Sequence, residues 1–144
     1  MTDRFELHSQ LAKDTHPVGQ TDLCEVLLSR DARYPWLILV PRVADIVEIH
    51  ELGDGAQAQL WREVTDTGRV LTGIYHADKL NVAALGNVVP QLHVHVIARV
   101  AGDPAWPGPV WGHGQAQRYG RQSLTDHLDR LRTNLPVNWM MAHS

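Results

Sequence analysis

Polar and apolar residues alternate strictly over residues 91–97, and this alternation constrains the fold more than any other feature of the sequence. Successive side chains of a β-strand point to opposite faces of the sheet. A strand here would turn Leu92, Val94 and Val96 toward the core. The opposite face would carry residues about 6.5–7 Å apart at their Cα atoms: Gln91, His93 and His95. The sequence therefore predicts a strand with a polar row of one amide and two imidazoles.

Hydrophobic periodicity predicts the elements around this strand. Apolar residues recur every three or four positions over residues 54–75, which predicts a long amphipathic helix with Asp54 as its N-cap. Strands are predicted over 23–28, 36–40, 79–85 and 92–100, shorter helices over 7–13 and 124–135, and turns at 15–19 and 86–87. The order α-β-β-α-β-β-α predicts an α+β fold, in which a long helix packs on an antiparallel sheet.

Length and composition narrow the class of protein further. The 144 residues, 44% of them hydrophobic, fit one globular domain over 1–144, and a net charge of −3 excludes broad electrostatic capture of nucleic acid. Cys24 stands alone, so it cannot form an internal disulfide, and no apolar run approaches membrane-spanning length. We therefore expect a cytoplasmic protein with no membrane or nucleic-acid partner.

The two histidines allow three interpretations. They are half-exposed strand residues, or they bind a metal ion such as Zn²⁺ or Fe²⁺, or one of them is a nucleophile toward phosphorus. A metal site needs another ligand, yet no acidic residue follows until Asp103, and Arg99 places positive charge nearby. The sequence favours the nucleophile.

Residues 86–99 (GNVVPQLHVHVIAR) resemble the signature of the histidine triad (HIT) superfamily, His-φ-His-φ-His-φ-φ with φ apolar. Residues 37–42 (LILVPR) resemble the family strand that ends in a proline and a basic residue. Trp106-Pro107 and Trp111-Gly112 resemble its tryptophan-containing tail. The resemblance covers residues 20–115, leaves a helical extension at 120–135, and is strongest to bacterial diadenosine polyphosphate hydrolases.

This resemblance implies a HIT-like fold, a homodimer, and cleavage at the α-phosphate of a purine nucleotide or dinucleoside polyphosphate without a metal or other cofactor. His93 corresponds to the nucleophile that forms a covalent nucleotidyl-histidine. Its second ring nitrogen would donate to a backbone carbonyl near His95. The two flanking positions, His95 and Gln91, would hold phosphate oxygens.

Further substrate-binding roles are implied for residues outside the triad. Asn81 corresponds to a phosphate-contacting position or is a strand-edge residue, and Asn87 contacts the substrate or serves the turn. Asp31 binds ribose hydroxyls or forms a turn with Arg33. The exposed loop carries Trp106 and Trp111, which stack on a nucleobase or pack on a partner subunit.

Three residues depart from the family pattern. Gln91 replaces the first histidine, Trp36 stands where many relatives carry a fourth active-site histidine, and Val88 replaces a hydroxyl residue. Glutamine can donate a hydrogen bond but cannot carry a proton charge. Two other functions therefore remain open: a catalytically weak nucleotide-binding protein, and a metal-dependent hydrolase or oxygenase with His93 and His95 as ligands.

Overall fold

Five antiparallel strands form one sheet, which three helices accompany. The computed structural model describes residues 4–138. Its elements in chain order are α1 (Ser9–Asp14), β1 (Thr15–Gln20), β2 (Cys24–Ser29), β3 (Trp36–Pro41), a 3-10 turn (Ile49–Glu51), α2 (Asp54–Tyr75), β4 (Lys79–Ala83), β5 (Val94–Arg99) and α3 (Arg121–Asn134). The strands lie side by side in the order β1-β2-β3-β5-β4. The α+β fold class with an antiparallel sheet and a long helix is confirmed.

Both faces of the sheet are covered, and β3 shows why. Leu37 and Leu39 join the core beneath α2, whereas Ile38 and Val40 pack with Leu11 of α1 on the opposite face. A strand buried on both sides must be apolar at every position, which accounts for the continuous apolar run. Burying each such side chain contributes about 1.5–3 kcal/mol.

Helix α2 has the predicted bounds, Asp54–Tyr75, but not the predicted cap. Its N-cap is Gly53, and no side chain caps the helix there. Asp54 is instead the first helical residue, where its negative charge complements the positive end of the helix dipole. The residue after the helix, His76, is its C-cap and adopts a left-handed conformation with φ 53°.

The turn predicted at residues 15–19 is wrong, because this segment is strand β1. It pairs with β2 along the edge of the sheet, and the register shifts between Pro17 and Gly19. A proline is tolerated at such an edge, where the missing N–H does not interrupt an inner ladder. The observed order is therefore α-β-β-β-α-β-β-α, with one strand more than the sequence predicts.

No helix within residues 4–138 is both long and apolar enough to cross a membrane.

Candidate active site

His93 lies just before β5 and is 6% exposed. Its Nδ1 lies 2.7 Å from the backbone carbonyl oxygen of Gln91. Because a carbonyl only accepts hydrogen bonds, Nδ1 carries a proton, and in the neutral ring the lone pair is therefore on Nε2. The expectation of a carbonyl near His95 is wrong: the acceptor lies two residues before His93, where the chain turns into the strand.

His95 has the opposite tautomer, because its partner is a donor. The indole Nε1–H of Trp36 donates to His95 Nδ1 at 2.9 Å, so the proton of this neutral ring is on Nε2. The two imidazoles meet edge to face, with centroids 5.1 Å apart. One ring thus offers a lone pair and its neighbour an N–H donor.

Burial, followed by the effect of nearby His93, lowers the pKa of His95 from 6.5 to about 4. The ring is therefore neutral at pH 7 and acts as a hydrogen-bond donor without a positive charge. Its small exposure, 7%, agrees with the strong desolvation.

Acid should destabilise the fold through this histidine. The unfolded chain binds a proton at His95 below pH 6.5, whereas the folded chain does so only near pH 4. The stability contribution of His95 is therefore complete above pH 6.5 and is lost as the pH falls toward 4. Its slope is at most about 1.4 kcal/mol per pH unit. Urea unfolding between pH 4 and pH 7 measures this slope.

The variant His95→Phe isolates the contribution of His95, since the pKa values of His16 and His127 are also lowered by burial and act in the same direction. We expect a shallower pH dependence in His95→Phe and an unaltered one in His113→Phe, where the replaced ring is exposed. Equal slopes in wild type and His95→Phe would contradict the assignment.

A small cleft of about 70 Å³ opens beside the His93 ring. Gly86 lines it with φ 46°, and a Cβ at this position would lie 3.4 Å from His93 Cε1. The glycine therefore serves both the left-handed backbone and the close approach to the ring. Asn87 is exposed and lines the same cleft as His93, and its role in substrate binding stays a prediction.

The Gln91 side chain has partners that the sequence did not indicate. Its Oε1 accepts from His8 N at 2.8 Å, and its Nε2 donates to Glu6 O at 2.8 Å. Both ends of the amide therefore hold the N-terminal segment. Phosphate binding by this side chain stays a prediction, whereas the Gln91 carbonyl holds His93.

The two predicted tryptophans lie in different places. Trp111 packs on His95, with ring centroids 5.2 Å apart, and on Trp36 at 5.9 Å. Trp106 instead stacks over the guanidinium of Arg99, 5.7 Å from its ring centroid, and is 37% exposed. Only Trp111 is brought to the paired imidazoles.

Asn81 also belongs to the surroundings of Arg99. Its Oδ1 accepts from Arg99 Nη1 at 2.8 Å. Asn81 pairs with Ile97 on β5, four residues past His93, which is about 13 Å along a strand. The structure does not bring this amide to His93.

Asp31 is buried, and its carboxylate links two loops through an ion pair and a hydrogen bond. Its carboxylate forms an ion pair with Arg33 at 2.8 Å and accepts from the backbone N–H of Gln117. Burial acts to raise the pKa of Asp31, but the hydrogen bonds from Arg33 and Gln117 outweigh it and hold that pKa below its usual value. Asp31 also lines a cavity of about 420 Å³ together with Trp36.

Trp36 and the N-terminal segment are the parts of the site that sequence reasoning missed. Trp36 departs from the family pattern, yet it fixes the tautomer of His95. An indole N–H in a buried strand needs an acceptor, and this requirement was the available signal. No pattern in the sequence indicated that residues 6 and 8 would meet Gln91.

Within residues 4–138, no three His, Cys, Asp or Glu side chains lie close enough together to hold a metal ion. Among these residues, the pair His93 and His95 has no third ligand of the kind that the metal interpretation requires.

Comparison with known proteins identifies the family. The family model of the HIT domain matches residues 10–102. A histidine triad protein of Bradyrhizobium japonicum is 48% identical, with a TM-score of 0.90 over 92% of this chain and 98% of that chain. A histidine triad protein of Marinobacter aquaeolei is 47% identical, with a TM-score of 0.90 over 92% and 96% of the two chains. One from Sinorhizobium meliloti is 46% identical, with a TM-score of 0.88 over 91% and 97%. The chain therefore belongs to the HIT domain family of histidine triad proteins.

Proposed function

We propose that the protein cleaves nucleotides at the α-phosphate through a covalent nucleotidyl-His93. One observation carries this proposal: His93 and His95 are adjacent and are held in opposite tautomers by Gln91 O and Trp36 Nε1. The free lone pair of His93 Nε2 can attack phosphorus, and the Nε2–H of His95 can donate to a phosphate oxygen. Membership of the HIT family supports nucleotide chemistry in general.

The reaction has two displacement steps. In the first, His93 Nε2 forms a bond to the α-phosphorus, and the bond to the leaving group breaks, so that the leaving group departs with the electron pair and is protonated by solvent. In the second, a water oxygen attacks the same phosphorus, the P–N bond breaks, and the water proton passes to solvent. His93 is restored and a nucleoside monophosphate is released.

Neutral donors stabilise the charge that builds on the phosphate oxygens. The low pKa of His95 keeps its ring neutral, so it donates without a proton transfer. The Trp111 ring packs on His95, with ring centroids 5.2 Å apart, and so holds this donor in place. Such preorganised donors favour the transition state over the ground state.

The nucleoside is proposed to occupy the cavity of about 420 Å³ beside Trp36, with Asp31 and Gln117 in its wall. This volume lies within the usual range for small-ligand pockets, about 300–1,000 Å³. Each oxygen of the Asp31 carboxylate has two lone pairs, so Asp31 can accept from a ribose hydroxyl while keeping Arg33. A purine nucleotide or dinucleoside polyphosphate is the substrate class that we propose.

A homodimer is part of the proposal. Strand β4 forms an edge of the sheet, and its Val82 is 41% exposed. An edge strand with an exposed apolar side chain is suited to pairing with a second copy.

Trapping the intermediate tests this function directly. The protein is mixed with adenosine 5′-phosphoramidate or diadenosine tetraphosphate labelled at the α-phosphorus, and the reaction is stopped with alkaline denaturant. We expect the label on the wild-type protein and on the His113→Ala control, lost in acid, and none on His93→Ala. Turnover without an adduct would exclude the covalent route, and binding without turnover or adduct would leave a nucleotide-binding protein. Loss of turnover on chelation would favour the metal alternative.

A further inference from the structure

We propose that residues Arg4–His8, named here the N-terminal strap, act through Gln91 to position His93 for catalysis. This inference deepens the proposed function and rests on it for the role of His93. It makes Gln91 a positioning residue. It also brings into the site a segment that precedes residue 10, where the match to the HIT domain begins.

Two hydrogen bonds join the strap to Gln91. The amide oxygen accepts from His8 N, and the amide nitrogen donates to Glu6 O, each at 2.8 Å. The partners are 83 and 85 residues apart in sequence, so the contact exists only in the folded chain. Two bonds to one planar group fix both its position and its orientation.

The strap is itself anchored. Phe5 and Leu7 pack against the apolar cluster on the face of the sheet opposite α2, which contains Ile38, Val40 and Val89. His8 Nδ1 accepts from Gln10 N and so caps α1. The strap is therefore held from both sides and can act as a fixed support for the Gln91 side chain.

The same residue that the strap holds also holds the nucleophile. Gln91 O is the acceptor for His93 Nδ1–H at 2.7 Å. Fixing the Gln91 side chain limits rotation of its backbone, and with it the direction of this carbonyl. The strap therefore favours the tautomer in which His93 Nε2 bears the lone pair.

This arrangement gives a physical reason for glutamine at the first position of the triad. The oxygen and nitrogen of a carboxamide are bound to one carbon and can serve two neighbouring backbone groups together. The two nitrogens of an imidazole point in different directions, so a histidine does not present its donor and acceptor side by side as the carboxamide does. In this chain the first triad position thus carries a side chain that can bind two backbone groups of the strap.

Substitution of Gln91 tests the coupling from one side. Gln91→Met keeps the length of the side chain and removes both hydrogen bonds, while Gln91→His restores the family motif. We expect at least tenfold faster hydrogen exchange at the His8 amide in both variants, and a mixture of His93 tautomers by imidazole ¹⁵N NMR. We expect kcat to fall 10- to 100-fold in both variants, with KM changed less than about threefold. The control Gln122→Met, at an exposed helical pair with Asp126, should match wild type.

Substitution of His8 tests the coupling from the other side. His8 has φ −56°, which suits proline, so His8→Pro removes the N–H without forcing this torsion. His8→Ala loses the same side-chain cap but keeps the N–H. We expect His8→Pro to shift the His93 tautomer and lower kcat about tenfold relative to His8→Ala.

The proposal is overturned if Gln91→His is as active as wild type, or if the His93 tautomer is unchanged in Gln91→Met and in His8→Pro. The NMR and exchange measurements need no substrate. If the wild-type protein proves inactive, the proposed function fails, whereas the coupling between strap and His93 is still decided. Near-ultraviolet circular dichroism identifies any variant that does not fold. If Gln91→Met does not fold, His8→Pro decides the test, and if His8→Pro does not fold, Gln91→Met decides it.

Discussion

Replacing His93 with alanine should lower turnover by about 10³- to 10⁶-fold, as the loss of a covalent nucleophile does in other enzymes. The reason is that the neighbouring ring cannot take over this role, since the proton of neutral His95 is on Nε2. Initial rates with adenosine 5′-phosphoramidate and with diadenosine tetraphosphate measure the effect.

The fold should survive this substitution. His93 lies outside the apolar clusters, and its ring is held by the hydrogen bond to Gln91 O. Losing one such bond costs about 0.5–1.5 kcal/mol. We therefore expect nucleotide affinity within a few-fold of wild type, and wild-type rates in His113→Ala. Turnover that persists in folded His93→Ala would remove His93 from the mechanism.

Replacing Arg99 with methionine should destabilise the fold by about 3–5 kcal/mol, the usual cost of breaking a buried ion pair from one side. The Arg99 side chain is 2% exposed and binds both oxygens of Asp103, at 2.7 and 2.8 Å. It also donates to Asn81 and lies between the rings of Tyr34 and Trp106. Methionine would leave a carboxylate with 6% exposure and no countercharge.

Urea unfolding measures this loss, and Arg69→Met is the matched control. Arg69 pairs with Asp66 on the surface of α2, with both side chains more than half exposed, so its replacement should cost at most about 1 kcal/mol. The double variant Arg99→Met with Asp103→Asn should recover part of the stability, because no buried charge is then unpaired. Equal losses in Arg99→Met and the Arg69→Met control would show that burial does not set the energy of the Arg99 pair.

Local patterns were sufficient where one element satisfies its own requirements. The three- and four-residue spacing over 54–75 predicted α2 with the observed bounds, because the apolar face of an amphipathic helix is encoded within one continuous segment of sequence. The alternation at 91–97 placed Val94 and Val96 in the core and the two histidines on the other face. By contrast, no local pattern predicts β1, because its proline and glycine indicate a turn. Its extended conformation comes from antiparallel pairing with β2.

The sequence by itself indicated the candidate groups for chemistry in this protein: two imidazoles at alternate positions, one on β5 and one just before it, within a motif that resembles the HIT signature. Only the tertiary structure decided the state of those groups. Trp36 and Gln91 O set opposite tautomers in the two rings. The strap binds the Gln91 side chain, and Asn81 and Trp106 contact Arg99 instead of His93. The physical reason is that a side-chain pattern describes only neighbouring positions in the sequence. The hydrogen-bond partners come from segments up to 85 residues away, and no local pattern specifies them.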